Sequence, residues 1–109
     1  MSVELPAPIA GYFNADKTED AYTVSLQFTE HAIVRDEGHA YTGRKAIRQW
    51  KSASTAKYTY AVEPFAISED AGLTTVSAHL SGNFPGSPGD LRYRFELEGE
   101  KISGLEIVA

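Results

Sequence analysis

Four apolar residues, Leu91, Tyr93, Phe95 and Leu97, alternate strictly with Arg92, Arg94, Glu96 and Glu98. A β-strand points successive side chains to opposite faces, so this spacing predicts a strand with one buried and one solvated face. The neighbouring segments follow the same rule. Lys57 to Ile67 carries Tyr58, Tyr60, Val62 and Phe65. Its Pro64 marks a bend, bulge or edge position, because proline cannot donate to a central ladder. Leu73 to Phe84 is the longest strand pattern, and Ile102 to Val108 is the last. Turn signals at 68–72, 85–90 and 98–100 separate these runs. The second half of the chain is thus expected to be four antiparallel strands.

The first half reads differently. Pro6 and Pro8 open a helix, where a missing N–H costs nothing. Ile9, Tyr12 and Phe13 then fall on one helical face, and 14–17 reads as a turn. Thr18 is the expected N-cap of a short second helix, with Glu19 and Asp20 supplying negative charge at its positive end. Ala21, Val24, Leu26 and Phe28 are its apolar positions. Ala32 to Asp36 is a short strand pattern, Glu37-Gly38 a turn, and His39-Ala40-Tyr41 a short return strand. Thr42 is the expected N-cap of a third helix with an apolar stripe at Ala46, Ile47, Trp50 and Ala53. Helices gathered before a meander imply an α+β fold. The expected architecture is a curved antiparallel sheet wrapped around the long helix, with three helices in the N-terminal half. Its cone is open at one end.

Composition narrows the function classes. With 109 residues, 42% of them hydrophobic, the chain reads as one domain over 1–109, with one core and room for a small pocket. The absence of cysteine excludes disulfides, thiolate metal sites and a cysteine nucleophile, and fits a cytoplasmic protein. No run approaches the ~18 apolar residues of a membrane span. Met1-Ser2-Val3-Glu4 does not resemble the start of a secretory signal. A net charge of −5 argues against nucleic acid as a partner. The densest basic group, 44–48, sits on a helical pattern and reads as a solvated face. His31, His39 and His79 show no metal-ligand spacing, so no metal is expected. No nucleophilic-serine motif, phosphate loop or dinucleotide fingerprint occurs.

Three stretches carry a family resemblance. Phe28-Thr29-Glu30-His31-Ala32-Ile33-Val34-Arg35-Asp36 is followed by Tyr41-Thr42-Gly43-Arg44-Lys45-Ala46-Ile47-Arg48-Gln49-Trp50. Ser81-Gly82-Asn83-Phe84-Pro85-Gly86-Ser87-Pro88 precedes Leu91-Arg92-Tyr93-Arg94-Phe95, then Lys101-Ile102 and Leu105-Glu106-Ile107. Together they resemble the SnoaL-like group of the nuclear transport factor 2-like superfamily, which also contains the ketosteroid isomerases. The resemblance spans nearly the whole chain and implies a cone-shaped, cystatin-like fold. That fold hosts isomerases, cyclases, dehydratases, hydrolases and non-catalytic binders.

The stretch from Tyr12 to Asp36 aligns without a gap on the isomerase pattern. There, an aspartate on the strand after the second helix moves a proton between substrate carbons. A first-helix tyrosine steadies the enolate oxygen. The resemblance implies these roles for Asp36 and Tyr12. The isomerases' second oxyanion donor is a protonated aspartic acid on a late strand. The matching region here, Asp90-Leu91-Arg92-Tyr93, places no acid in that register.

Each candidate also has a plainer role. Asp36 can start the turn that follows it, where Asp bonds its own backbone. Tyr12 can be a core tyrosine with one hydrogen bond. Phe28, Val34 and Trp50 are core residues that would double as pocket wall. His79 reads as a surface or interface residue. Loop 85–90 reads as a plain connection or a lid. The expected function is a small-molecule-binding protein, with Asp36 as proton shuttle beside a carbonyl in an isomerase- or cyclase-type enzyme. The alternative is a non-catalytic ligand-binding or dimeric protein-interaction module. The expected ligand is small, and apolar or carbonyl-containing. No cofactor is expected, because the carbonyl itself accepts the electron pair. The resemblance also implies a homodimer through the outer sheet face.

Overall fold

The computed structural model describes residues 4–18 and 20–109. Met1, Ser2, Val3 and Glu19 lie outside the described residues. The reading of Met1-Ser2-Val3-Glu4 as unlike a secretory signal therefore rests mostly on residues outside the described ones, as does the expected charge contribution of Glu19. Among the described residues, three helices, α1 (Ala7–Lys17), α2 (Ala21–Leu26) and α3 (Arg44–Lys57), accompany six strands. The strands are β1 (Phe28–Asp36), β2 (His39–Thr42), β3 (Tyr60–Asp70), β4 (Leu73–Gly82), β5 (Gly89–Glu98) and β6 (Lys101–Val108). They form one curved sheet in the order β2-β1-β6-β5-β4-β3. The ladders are antiparallel except that β1 lies parallel to β6.

The alternation that predicts β5 is seen directly. Tyr93 and Phe95 are buried, while Arg92, Arg94 and Glu96 are exposed. Pro64 sits on β3, an edge strand, and the register slips between Pro64 and Ala66. Both features suit a residue with no N–H to give. The inner face of the sheet and the helices share one core that includes Ile9, Tyr12, Phe28, Ile47, Val76 and Phe95. Burying each such side chain contributes roughly 1.5–3 kcal/mol.

Several local boundaries differ from the sequence pattern, each for a physical reason. Residues 14–17 continue α1 rather than turning, because Ala15 and Asp16 are buried in the core. Thr18 closes α1 by donating its hydroxyl to the Ala15 carbonyl at 2.9 Å. The N-cap of α2 is Asp20, whose carboxylate accepts from the Thr23 N–H at 3.1 Å. Phe28 opens β1 instead of ending α2, and Leu26 is exposed. Gly43, not Thr42, caps α3, at a φ of 88° that disfavours any residue with a Cβ. Lys57 ends α3 and Tyr58 caps it, so β3 starts later, at Tyr60, and runs on to Asp70. β4 ends at Gly82, opposite Tyr60 where β3 begins, and a Cβ at this position would overlap the Thr59 carbonyl.

Candidate functional site

Strand β1 carries the proposed base. Ala32 and Val34 are fully buried, Arg35 is exposed, and Asp36 follows Val34 onto the inner face, half-buried. The turn after it is built by the backbone: Glu37 and Gly38 have φ of 51° and 78°. Positive φ at both central residues matches the twist of a two-residue hairpin. The Asp36 side chain reaches across to α3, where the Trp50 indole Nε1 donates to Oδ2 at 3.0 Å. Burial pushes the Asp36 carboxyl above the ordinary carboxylate value. The Trp50 bond, the Lys51 charge and the Glu37 amide oppose that rise, while the Glu37 charge adds to it.

Tyr12 lies on the inner face of α1, fully buried. Its ring meets Phe13, Phe28 and Phe95 edge-on, at centroid distances of 5.1, 6.0 and 5.7 Å. Desolvation holds its hydroxyl well above the usual phenol range, and the negative charge of Asp16 adds to this. Tyr12 therefore stays a neutral phenol at any physiological pH. The Lys51 ammonium donates to its oxygen at 3.4 Å. Ammonium has only donors, so this contact leaves the phenolic proton uncommitted.

The structure adds two residues that the sequence reading passed over. Lys51 and Asp16 form an ion pair at 2.8 Å, with side chains only 4% exposed on each partner. Tyr60 donates to the same Asp16 Oδ1 at 3.1 Å and accepts from Lys51 at 3.4 Å. Lys51 also sits 4.4 Å over the Trp50 ring. A legible signal existed for both charges. Asp16 lies four residues after Tyr12, and Lys51 lies four after Ile47 and next to Trp50. Each is therefore in phase with a core stripe. The inward face of α3 is Ile47, Trp50 and Lys51, and the expected Ala53 is exposed.

The expected pocket wall is packed core. Phe28 and Val34 are 0% exposed and Trp50 5%. Among the described residues, clefts open elsewhere, and two of them are lined by none of Phe28, Val34, Trp50 and Tyr12. One, of about 640 Å³, lies between α1 and β3, with Phe13, Asp16, Tyr60 and Val62 in its wall. The other, of about 290 Å³, lies at the β1–β2 turn and the end of β6, and Asp36 lines it. Asp90 is in β5 but points outward, 2.7 Å from the exposed His79. It is therefore no second oxyanion donor to the interior. Among the described residues no cluster of three His, Asp or Glu side chains could hold a metal ion. No helix among them is long and apolar enough to cross a membrane.

Solved structures place this architecture. A protein from Sinorhizobium meliloti, provisionally assigned as a polyketide cyclase, shares 38% identity at a TM-score of 0.89, with 94% of each chain covered. A protein of ketosteroid isomerase-like fold from Catenulispora acidiphila, bound to trimethylamine, is 18% identical. Its TM-score is 0.85 over 97% of this chain and 87% of its own. SalBIII, an epoxide hydrolase/cyclase-like enzyme of pyran ring formation in salinomycin, gives 21% identity and a TM-score of 0.77. It matches over 93% of this chain and 86% of its own. No protein-family model matches the sequence, and no curated protein matches it significantly. The cone of six strands and three helices, together with the 38% identity, defines a class. The chain belongs to the SnoaL-like family of the nuclear transport factor 2-like superfamily.

Proposed function

We propose that this protein is an acid–base enzyme acting on a small carbonyl compound, with Asp36 as the proton shuttle. One observation carries the reading. Asp36 is an inward-facing, half-buried carboxylate, held by the Trp50 indole N–H and raised in pKa by desolvation. A base tuned upward from the ordinary carboxylate value is better matched to taking a proton from carbon near neutral pH. The carboxylate removes a proton next to the carbonyl, and the electron pair moves onto the carbonyl oxygen. The resemblance gives the donor role for that oxygen to Tyr12, which stays neutral but lines neither cleft, so a substrate at Asp36 must displace the packing around its ring to reach it. Return of the proton to another carbon gives isomerisation. Attack of the enolate carbon on a second carbonyl, with the proton passing to the new alkoxide, gives ring closure. The cyclase assignment of the Sinorhizobium relative and the cyclase-like character of SalBIII support ring closure as the outcome.

The test is exchange of α-protons for deuterium in a panel of β-diketones and β-ketoesters, followed by NMR. Wild type should accelerate exchange, and Asp36→Asn should lose roughly a hundredfold or more of that acceleration, as expected for a lost general base. Full retention in a folded variant sinks the reading.

A second reading, a protein-interaction module without chemistry, is favoured by the close packing of Tyr12, Phe28 and Trp50, which leaves the interior largely filled. It predicts no α-proton exchange and no saturable ligand binding beside Asp36. We also propose a homodimer through the outer sheet face, where Arg94 and Glu106 pair at 3.2 Å among exposed charges. Sedimentation equilibrium decides this: a monomer at micromolar concentration refutes it.

A further inference from the structure

The Asp16 carboxylate has two oxygens with different surroundings. Oδ1 takes the bonds from both Lys51 and Tyr60, at 2.8 and 3.1 Å. Among the described residues no hydrogen bond reaches Oδ2, yet no buried side-chain oxygen or nitrogen is left without a partner. Oδ2 therefore keeps an open side, and the open space beside Asp16 is the 640 Å³ cleft between α1 and β3. Leu5, Phe13, Val62 and Pro64 form the apolar part of the cleft wall, and the exposed Lys17 and Glu63 add one charge of each sign, leaving no net charge from the wall. A carboxylate oxygen is an acceptor only, and here it is presented by a side chain more than nine-tenths buried. Its formal charge is matched by the Lys51 ammonium behind it. A cation entering the cleft would therefore gain little from the neutralised pair and would lose its own hydration. A neutral donor loses much less.

We infer that the α1–β3 cleft is a binding site for a neutral, largely apolar molecule carrying a hydroxyl group, such as an alcohol, phenol or enol. That hydroxyl donates to Asp16 Oδ2. Lys51 and Tyr60 are positioning residues that fix the carboxylate so that Oδ2 faces the cleft. Phe13 and Val62 supply the apolar wall. The volume accommodates a molecule of two or three rings, within the usual range for small-ligand sites. This site differs from the one lined by Asp36, and its test reads binding alone, so it stands or falls independently of any turnover.

The experiment titrates the full-length protein with 2-naphthol, 2-methoxynaphthalene and 2-naphthylmethylammonium, followed by fluorescence and by amide NMR shifts. The two neutral probes share an apolar body, and only naphthol can donate. Wild type should bind 2-naphthol roughly tenfold tighter than the methoxy compound, the size of one hydrogen bond to a charged acceptor. It should also bind it tighter than the ammonium. The shifts should centre on Ala10, Phe13 and Val62. The preference should vanish in Asp16→Asn/Lys51→Met, which removes the pair without leaving a lone buried charge. Ala10→Phe, which fills the cleft from the helix side, should abolish binding and keeps the test decisive if the double variant does not fold. Equal affinities for the two neutral probes would overturn the inference. So would preference for the ammonium, shifts confined to 35–40, or no saturable binding by wild type.

Discussion

Trp50 Nε1 donates to Asp36 Oδ2 at 3.0 Å, joining the middle of α3 to the end of β1. The two residues are 14 positions apart in the chain and belong to elements of different type. The bond ties the one inward-facing carboxylate of β1 to the aromatic wall of the core. Lys51 lies against the other part of the same indole, 4.4 Å from its ring. Trp50 therefore touches both Asp36 and the Lys51 member of the buried ion pair.

Replacing Trp50 with Phe removes the donor and keeps most of the apolar bulk. The indole bond favours the charged carboxylate, so its loss should raise the Asp36 pKa further. Titration of the Asp36 carboxyl carbon by NMR checks the direction. A fall in pKa, or no change, would show that the bond does not govern this group. The variant should also lose about 1–3 kcal/mol of stability from the smaller ring and the unpaired carboxylate.

Asp36→Asn has a pH-dependent effect on stability whose sign follows from burial. The folded pKa lies above the unfolded one, so the native state holds the proton more tightly. The group's contribution is most favourable below the unfolded pKa and is lost as pH rises through the folded one. Asparagine is neutral throughout and can still accept from Trp50. The stability of the variant relative to wild type should therefore increase between pH 3 and pH 7. Urea denaturation at the two values measures this, and a relative loss on going to pH 7 would contradict the assigned direction.

Lys51→Met should cost about 3–5 kcal/mol, because it leaves the Asp16 charge buried without its partner. Adding Asp16→Asn removes that charge, and the double variant should recover most of the loss. A double-mutant cycle in urea gives the coupling. Additive losses would mean that the pair does not act as a unit.

Tyr12→Phe keeps the edge-on contacts with Phe13, Phe28 and Phe95 and removes only the hydroxyl. Lys51 retains Asp16 and Tyr60, so the cost should be about 1 kcal/mol. Tyr12→Ala should cost about 3–5 kcal/mol through the cavity it leaves. Thermal unfolding of the two variants compares them. Similar costs would show that the hydroxyl, rather than the ring, holds this part of the core.

Where side chains repeat with a fixed period, the sequence alone determines the structure. The β5 alternation, the α1 face at Ile9, Tyr12 and Phe13, and the turn at Glu37-Gly38 are all local patterns, and all are seen. Strand parity likewise puts Val34 and Asp36 on one inward face, because the pleat has a period of two. Element limits are less legible where tertiary burial competes with local preference. Residues 14–17 stay helical because Asp16 is anchored by Lys51 and Tyr60, which lie 35 and 44 residues away in the chain. Asp20 rather than Thr18 caps α2 because α1 runs on and takes the Thr18 hydroxyl.

Only the tertiary structure decides what the polar groups meet. The sequence offers Asp36 both a turn and a proton to move, and packing α3 against β1 gives its carboxylate to Trp50. It offers Phe28, Val34 and Trp50 as both core and pocket wall, and close packing makes them core. The charges of Asp16 and Lys51 sit in phase with apolar stripes on two different helices, a pattern that marks each as unusual but cannot pair them. Their partnership depends on how α1, α3 and β3 converge, which a one-dimensional period does not encode. That convergence also opens the cleft that Asp16 lines.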